Sequence, residues 1–137
     1  MTTTASVEIS QVPKGRLWGG WTLTVLVGLF LLFDAAGKLM MPIFVVDAFN
    51  RLGIPTGIGV AIGVILTVCT VIYLIPRTGV LGAVLLTGYL GGAIAIHMRA
   101  GSTLFEMIFP ALFGILAWIG IYLREPRLGA VMPFRRR

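Results

Sequence analysis

A chain of 137 residues that is 58% apolar and only 12% charged is not a soluble globular domain, in which roughly half the residues are apolar and about a quarter charged. Its net charge is +6, all eleven lysines and arginines lie outside the apolar runs, and no basic face with interleaved aromatics exists to grip a phosphate backbone, so nucleic acid is not an expected partner. The single cysteine, Cys69, excludes an intrachain disulfide, a CxxC redox pair and a thiolate metal site, and no metal centre is expected.

In chain order, residues 1–16 are polar and contain Pro13, which reads as a disordered cytoplasmic segment. The apolar run Leu17 to Ala36 follows, long enough to cross a hydrocarbon core, which takes about 20 helical residues. Lys14 and Arg16 ahead of it imitate a signal peptide, but the run exceeds the ~7–15-residue signal core, so it is read as a retained first helix. It closes in FDAAGKLMMP, Phe33 to Pro42, with a carboxylate and an amine at i and i+4.

The segment Ile43 to Leu52 carries Asp47, Asn50 and Arg51 on one helical face and Phe44, Val45, Ala48, Phe49 and Leu52 on the other. It predicts a short amphipathic helix on the outer membrane surface, started by Pro42 and ended by Gly53 and Pro55, capping the mouth of a bundle. Three more spanning runs follow: Gly57 to Ile75, Gly79 to Ile96 and Leu104 to Leu123. Their connections, Pro76-Arg77-Thr78 and Met98 to Thr103, are short, which makes neighbours antiparallel.

Lipid offers the backbone no hydrogen-bond partner, so continuous apolar runs of this kind span as helices. The expected fold is all-α: an antiparallel, up-down transmembrane four-helix bundle over residues 17–124, with the amphipathic interfacial helix between helices one and two. Gly59 with Gly63, and Gly88 with Gly92, form two GxxxG steps expected to bring helices into close contact. Residues 125–137 form a basic tail ending in Arg135, Arg136 and Arg137, expected in the cytoplasm against anionic lipid.

With both termini inside, the inner side carries Lys14, Arg16, Arg77, Arg124, Arg127 and the three tail arginines, and the outer side Lys38, Arg51 and Arg99. Eight against three is the bias of the positive-inside rule. Depth follows from the ~1.5 Å helical rise. Arg16 to Asp34, Arg77 to His97 and Arg124 to Glu106 are separations of about 27, 30 and 27 Å, against a core about 30 Å thick. Asp34, His97 and Glu106 therefore share one layer just under the outer surface, with Lys38 and Arg99 at or above it. Intramembrane ionisable groups face the interior and pair with one another, which makes Asp34, His97 and Glu106 the candidate catalytic residues. Lys38, Tyr89 and Arg99 are the candidates for binding or orienting a ligand; Tyr89, Ala93 and His97 lie on one side of the third span.

Plainer roles stand beside these. Asp34 and Lys38 form an i,i+4 ion pair on a helix, Thr103 to Glu106 fits a capping box, and His97 marks a water boundary. Pro110 leaves the Glu106 carbonyl without its helical donor and kinks the fourth span.

FDAAGKLMMP, the loop Leu52-Gly53-Ile54-Pro55, the glycine-rich GVLGAVLLTGYLGGAIAIHMRAG from Gly79 to Gly101, and AWIGIYLRE closing the fourth span resemble the DoxX-like family of four-helix membrane proteins. The resemblance covers nearly all of the chain after Gly15. It implies a four-helix protein of the bacterial cytoplasmic (inner) membrane; the charge bias is what places both termini in the cytoplasm. The resemblance also implies a small accessory or partner-docking subunit of a quinone-linked redox system. No haem ligand pair and no flavin or dinucleotide fingerprint occurs, so no covalently bound cofactor is expected and redox work falls to a partner or a diffusible quinone. The expected partners are the lipid bilayer, a membrane protein or a second copy of the chain, and a lipophilic small molecule. The alternative is an intramembrane acid/base enzyme, of isomerase, cyclase or hydrolase type, acting on a lipophilic molecule at Asp34, His97 and Glu106. A small proton-coupled exporter is disfavoured, because Asp34 lies too near one surface for an alternating-access site.

Overall fold

The computed structural model describes residues 13–128. Helix α1 spans Lys14–Met40, α2 Ile43–Leu52, α3 Gly59–Leu74, α4 Gly79–Ala100 and α5 Leu104–Arg124, with a 3-10 turn Thr56–Ile58 leading into α3. The four long helices are apolar enough to cross a membrane. The expected disordered segment falls outside the described residues up to position 12, and Lys14 to Arg16 belong to α1; the tail arginines Arg135, Arg136 and Arg137 also lie outside.

Each boundary has a local cause. At 27 residues, α1 is about 40 Å long, more than the ~30 Å core, so Lys14 and Arg16 emerge at one end and Lys38 at the other. It stops where Met41 turns left-handed at φ 50° and Pro42 cannot continue the ladder. Helix α2 ends on Gly53 at φ 70°, with the Ile54 amide donating to the Phe49 carbonyl at 2.9 Å, a Schellman closure that a side chain would strain. Gly101, at φ 67°, closes α4 the same way and brings the Ser102 amide to the His97 carbonyl at 3.0 Å. Helix α5 starts on a complete capping box between Thr103 and Glu106 and runs through Pro110.

Without water to drive helices together, membrane bundles depend on close packing at small residues. Here the long helices form a closed ring in the order α1, α3, α4, α5. Gly28 of α1 receives Leu74 from the end of α3, and Gly63 near the start of α3 receives Leu39 from the end of α1. Gly20 at the start of α1 abuts Leu123 and Arg124 at the end of α5, and Gly79 at the start of α4 abuts Ile121. Early contacts meet late ones throughout, so neighbours run antiparallel.

The packing is uneven along the bundle axis. At the end carrying the chain termini, Tyr73, Leu66, Leu86, Ile121, Thr24 and Thr70 are fully buried. On α4 the buried residues stop at Leu90, and on α5 they begin at Ala117. Beyond that level α4 draws away from α3, while α5 stays against α1 through Phe30 and Phe113. The two GxxxG steps accordingly part company. Gly59 and Gly63 are buried against Phe49, Leu39 and the Ala35 carbonyl, as expected of a packing motif. Gly88 and Gly92 are exposed, and a Cβ on either would meet nothing within 4 Å, which corrects the expectation that this pair joins helices.

Candidate functional site

The splay of α4 from α3 opens a cavity of about 840 Å³ at the end of the bundle opposite the termini. Helix α2 roofs it: Val45, Ala48, Phe49 and Leu52 line the cavity while Asp47 and Asn50 are exposed, as the amphipathic spacing predicted; Arg51 departs from that division by also lining the cavity, and Phe44 by being 68% exposed. Phe49, 5% exposed, anchors the roof by packing toward Gly59. Two polar contacts hold the far end of α2: Arg51 lies 3.6 Å from the Glu106 carboxylate on α5, and Arg99 of α4 donates to the Leu52 carbonyl at 3.2 Å.

Most of the cavity wall is apolar. One side is aromatic: Phe30 of α1 stacks on Phe113 of α5 with centroids 4.2 Å apart, and Phe109 meets both rings at 5.7 and 5.0 Å. Ile62 and Ile65 of α3 face Gly88, Gly92, Ala93 and Ile96 of α4 across the other side. Into this apolar space project four polar side chains foreseen from the sequence, Asp34, Lys38, Tyr89 and His97, joined by Arg51.

Asp34 and Lys38 form the i,i+4 ion pair. The Lys38 side chain is 17% exposed and that of Asp34 43%, so the pair sits at the rim with the amine turned further inward. His97 Nδ1 lies 3.0 Å from the Ser102 hydroxyl, a contact that follows from the Gly101 turn and leaves Nε2 without a partner among the described residues. Tyr89, one helical turn pair below His97 on the same face of α4, makes no hydrogen bond among the described residues. A hydroxyl and a ring nitrogen thus remain open to a ligand, beside a cation.

Not every candidate joins them. Glu106 borders no part of the cavity; its carboxylate accepts from the Thr103 amide at 3.0 Å and hydroxyl at 3.1 Å and meets Arg51, which makes it a helix cap and a tie to the roof. Arg99, exposed, secures the end of α2. The shared axial depth was read from helical rise, which says nothing of the direction a side chain takes around the helix, and there these two differ. Sequence reasoning missed Arg51 and Ser102 as neighbours of the site, and it missed the aromatic wall. The signal for Ser102 was present in the helix-ending Gly101 that follows His97 by four positions.

A polar apolar-walled chamber of this kind can hold a molecule whose polar end takes hydrogen bonds from Tyr89, His97 and Lys38 and whose remainder is hydrophobic. Among the described residues no three His, Cys, Asp or Glu side chains gather as metal ligands. No curated protein and no solved structure matches the chain. The family model for the DoxX-like family matches residues 22–120, a stretch that begins early in α1, ends near the close of α5 and includes every polar group around the cavity; the chain belongs to the DoxX-like family.

Proposed function

We propose that this DoxX-like membrane protein is a small accessory subunit that holds a lipophilic carrier of the quinone class in its α2-roofed cavity for a membrane redox partner. The observation that supports this reading is the distribution of polarity in the cavity: apolar walls, with the hydrogen-bonding groups of His97 and Lys38 towards the roof and that of Tyr89 deeper. A ring carbonyl accepts from a tyrosine hydroxyl, an imidazole N–H or an ammonium, and an aromatic wall suits a planar ring. Burying an unpaired carbonyl in such walls is costly, so these donors select for an oxygen-bearing head.

The test is equilibrium binding of a decyl-substituted benzoquinone to the protein in lipid nanodiscs. Saturable binding is expected, weakened about three- to tenfold by Tyr89→Phe or His97→Ala, the loss of about one hydrogen bond each. Glu106→Gln is expected to leave it unchanged, because that side chain caps α5 outside the cavity. Absence of saturable binding would overturn the reading.

A second reading, an intramembrane acid/base enzyme, is favoured by the meeting of Asp34, Tyr89 and His97 on one cavity. In that reading His97 Nε2 moves a proton while Ser102 holds the ring, and Asp34 supplies the carboxylate. It differs from the carrier reading in one measurable respect: Asp34→Asn and His97→Ala would abolish turnover of the bound molecule while leaving it bound.

A further inference from the structure

The cavity has walls of two kinds, and the difference bears on how a ligand reaches it. Between α1 and α5 the stacked Phe30 and Phe113, with Phe109 beside them, close the wall at mid-depth, while nearer the roof Phe33 and Met40 border the cavity and are largely exposed. Between α1 and α3 it is closed by Gly63 against Leu39 and Ala35. Helices α4 and α5 are joined by a short connection at the roofed end, by Leu90 against Gly114, and by the Trp118 indole donating to the Thr87 hydroxyl at 2.7 Å. Helices α3 and α4 meet at the other end of the bundle, where Gly82 is pressed against the Tyr73 backbone, and separate from there towards the roof.

In that separation lie Gly88 and Gly92. Both border the cavity, both are exposed, and neither has an atom within 4 Å of where a Cβ would stand. Ile65 on α3 forms the opposite rim and is 54% exposed. The positions fall within the apolar length of both spans, so the gap faces hydrocarbon and not water. Two glycines in mid-helix each forgo about 1 kcal/mol of helical stability relative to alanine. Gly15 and Gly19 of α1 and Gly91 of α4 are equally without a neighbour, but only Gly88 and Gly92 among these border the cavity.

We infer that the gap between α3 and α4 over Gly88 and Gly92 is a lateral doorway from the bilayer, and that the ligand is a tailed amphiphile whose head lodges at Tyr89, His97 and Lys38 while its chain passes out across the two glycines into lipid. This rests on the reading of the cavity as a ligand site and adds the shape of the ligand and its route. A molecule delivered from water would have to pass the roof, which Arg51, Arg99 and Phe49 hold in place; one already dissolved in the bilayer meets an open gap.

The experiment compares two probes on two proteins in nanodiscs: the decyl-substituted benzoquinone and the same ring with methyl in place of the chain, on the natural chain and on Gly88→Leu/Gly92→Leu. The leucines enter open space and raise helix propensity, so the variant is expected to unfold at or above the natural temperature. Binding of the tailed probe is expected to fall about tenfold or more, the size of a modest steric clash, while the tail-less ring binds both proteins alike. Equal binding of the tailed probe to both proteins overturns the doorway and leaves the cavity reading intact. A variant that loses self-association while binding both probes normally overturns it too, by making the glycines a contact between copies. Failure of both probes on the natural chain overturns the cavity reading, and the doorway with it.

Discussion

At the scale of single residues, Arg124 carries the most consequence for stability. Counted along the sequence it is one of the cations at the inner ends of helices, yet it is only 8% exposed. Its guanidinium donates to the Tyr73 carbonyl at 2.8 Å and lies 4.3 Å from the centre of the Trp21 ring. The carbonyl needs that donor because α3 ends at Leu74, so the amide of Arg77 does not continue the ladder to it. One side chain from α5 thereby closes α3 and stacks on α1, beside the Gly79 start of α4. Tyr73 adds a second tie, its hydroxyl donating to the Ala117 carbonyl at 2.9 Å. Arg124→Ala is expected to cost about 2–4 kcal/mol, from an orphaned buried carbonyl together with the lost stacking. Arg124→Lys should restore only part, because an ammonium lacks the planar fork that serves ring and carbonyl at once. Thermal unfolding in detergent, read for both variants, checks this; Arg124→Lys as stable as the natural chain would make the contribution one of charge alone.

At the scale of helices, glycine spacing has two opposite meanings in one element. Gly82 of α4 leaves no room for a Cβ beside the Tyr73 backbone, and Gly92 of the same helix has open space. Gly82→Ala is therefore expected to destabilise by about 1–3 kcal/mol through overpacking, and Gly92→Ala to stabilise by up to about 1 kcal/mol through helix propensity. Unfolding midpoints of the two variants under identical conditions should move in opposite directions. The local pattern does not distinguish them, since it records spacing and not the splay of a neighbour. What was legible in the sequence was whatever is fixed within one element or by a short connection: the four spans, the amphipathic α2, the Asp34–Lys38 pair, the Thr103–Glu106 cap, and Tyr89 and His97 on one face. What was not legible depends on how the helices lean. The wall of Phe30, Phe109 and Phe113 reads like any lipid-facing aromatics until α1 and α5 are placed side by side, and the burial of Arg124 reads like a snorkelling cation until α3 is found to end beneath it.

At the scale of the whole molecule, the fold divides a packed half from a hollow half, and the orientation of that division in the bilayer decides which leaflet supplies the cavity. Four spans place both chain ends on one side, and the cations of the described residues are distributed unequally: Lys14, Arg16, Arg77, Arg124 and Arg127 at the packed end, and Lys38, Arg51 and Arg99 at the hollow end. The burial of Arg124 removes one of the first group as a free surface charge, and the ion pairs of Lys38 with Asp34 and Arg51 with Glu106 offset two of the second. The asymmetry thus survives correction for the structure. On the positive-inside rule we propose that the packed end faces the cytoplasm and α2 faces outward. Because Cys69 is buried, the natural chain offers a quiet background for a membrane-impermeant maleimide. Asn50→Cys, on the exposed face of α2, is expected to label in intact cells, and Pro76→Cys, in the exposed α3–α4 connection, only after permeabilisation. The reverse pattern would invert the molecule and place the cavity in the cytoplasmic leaflet. With the expected pattern, a ligand crossing the gap between α3 and α4 comes from the outer leaflet and meets Tyr89 and His97 from below the α2 roof, so a redox partner drawing on the cavity must reach it from that same side.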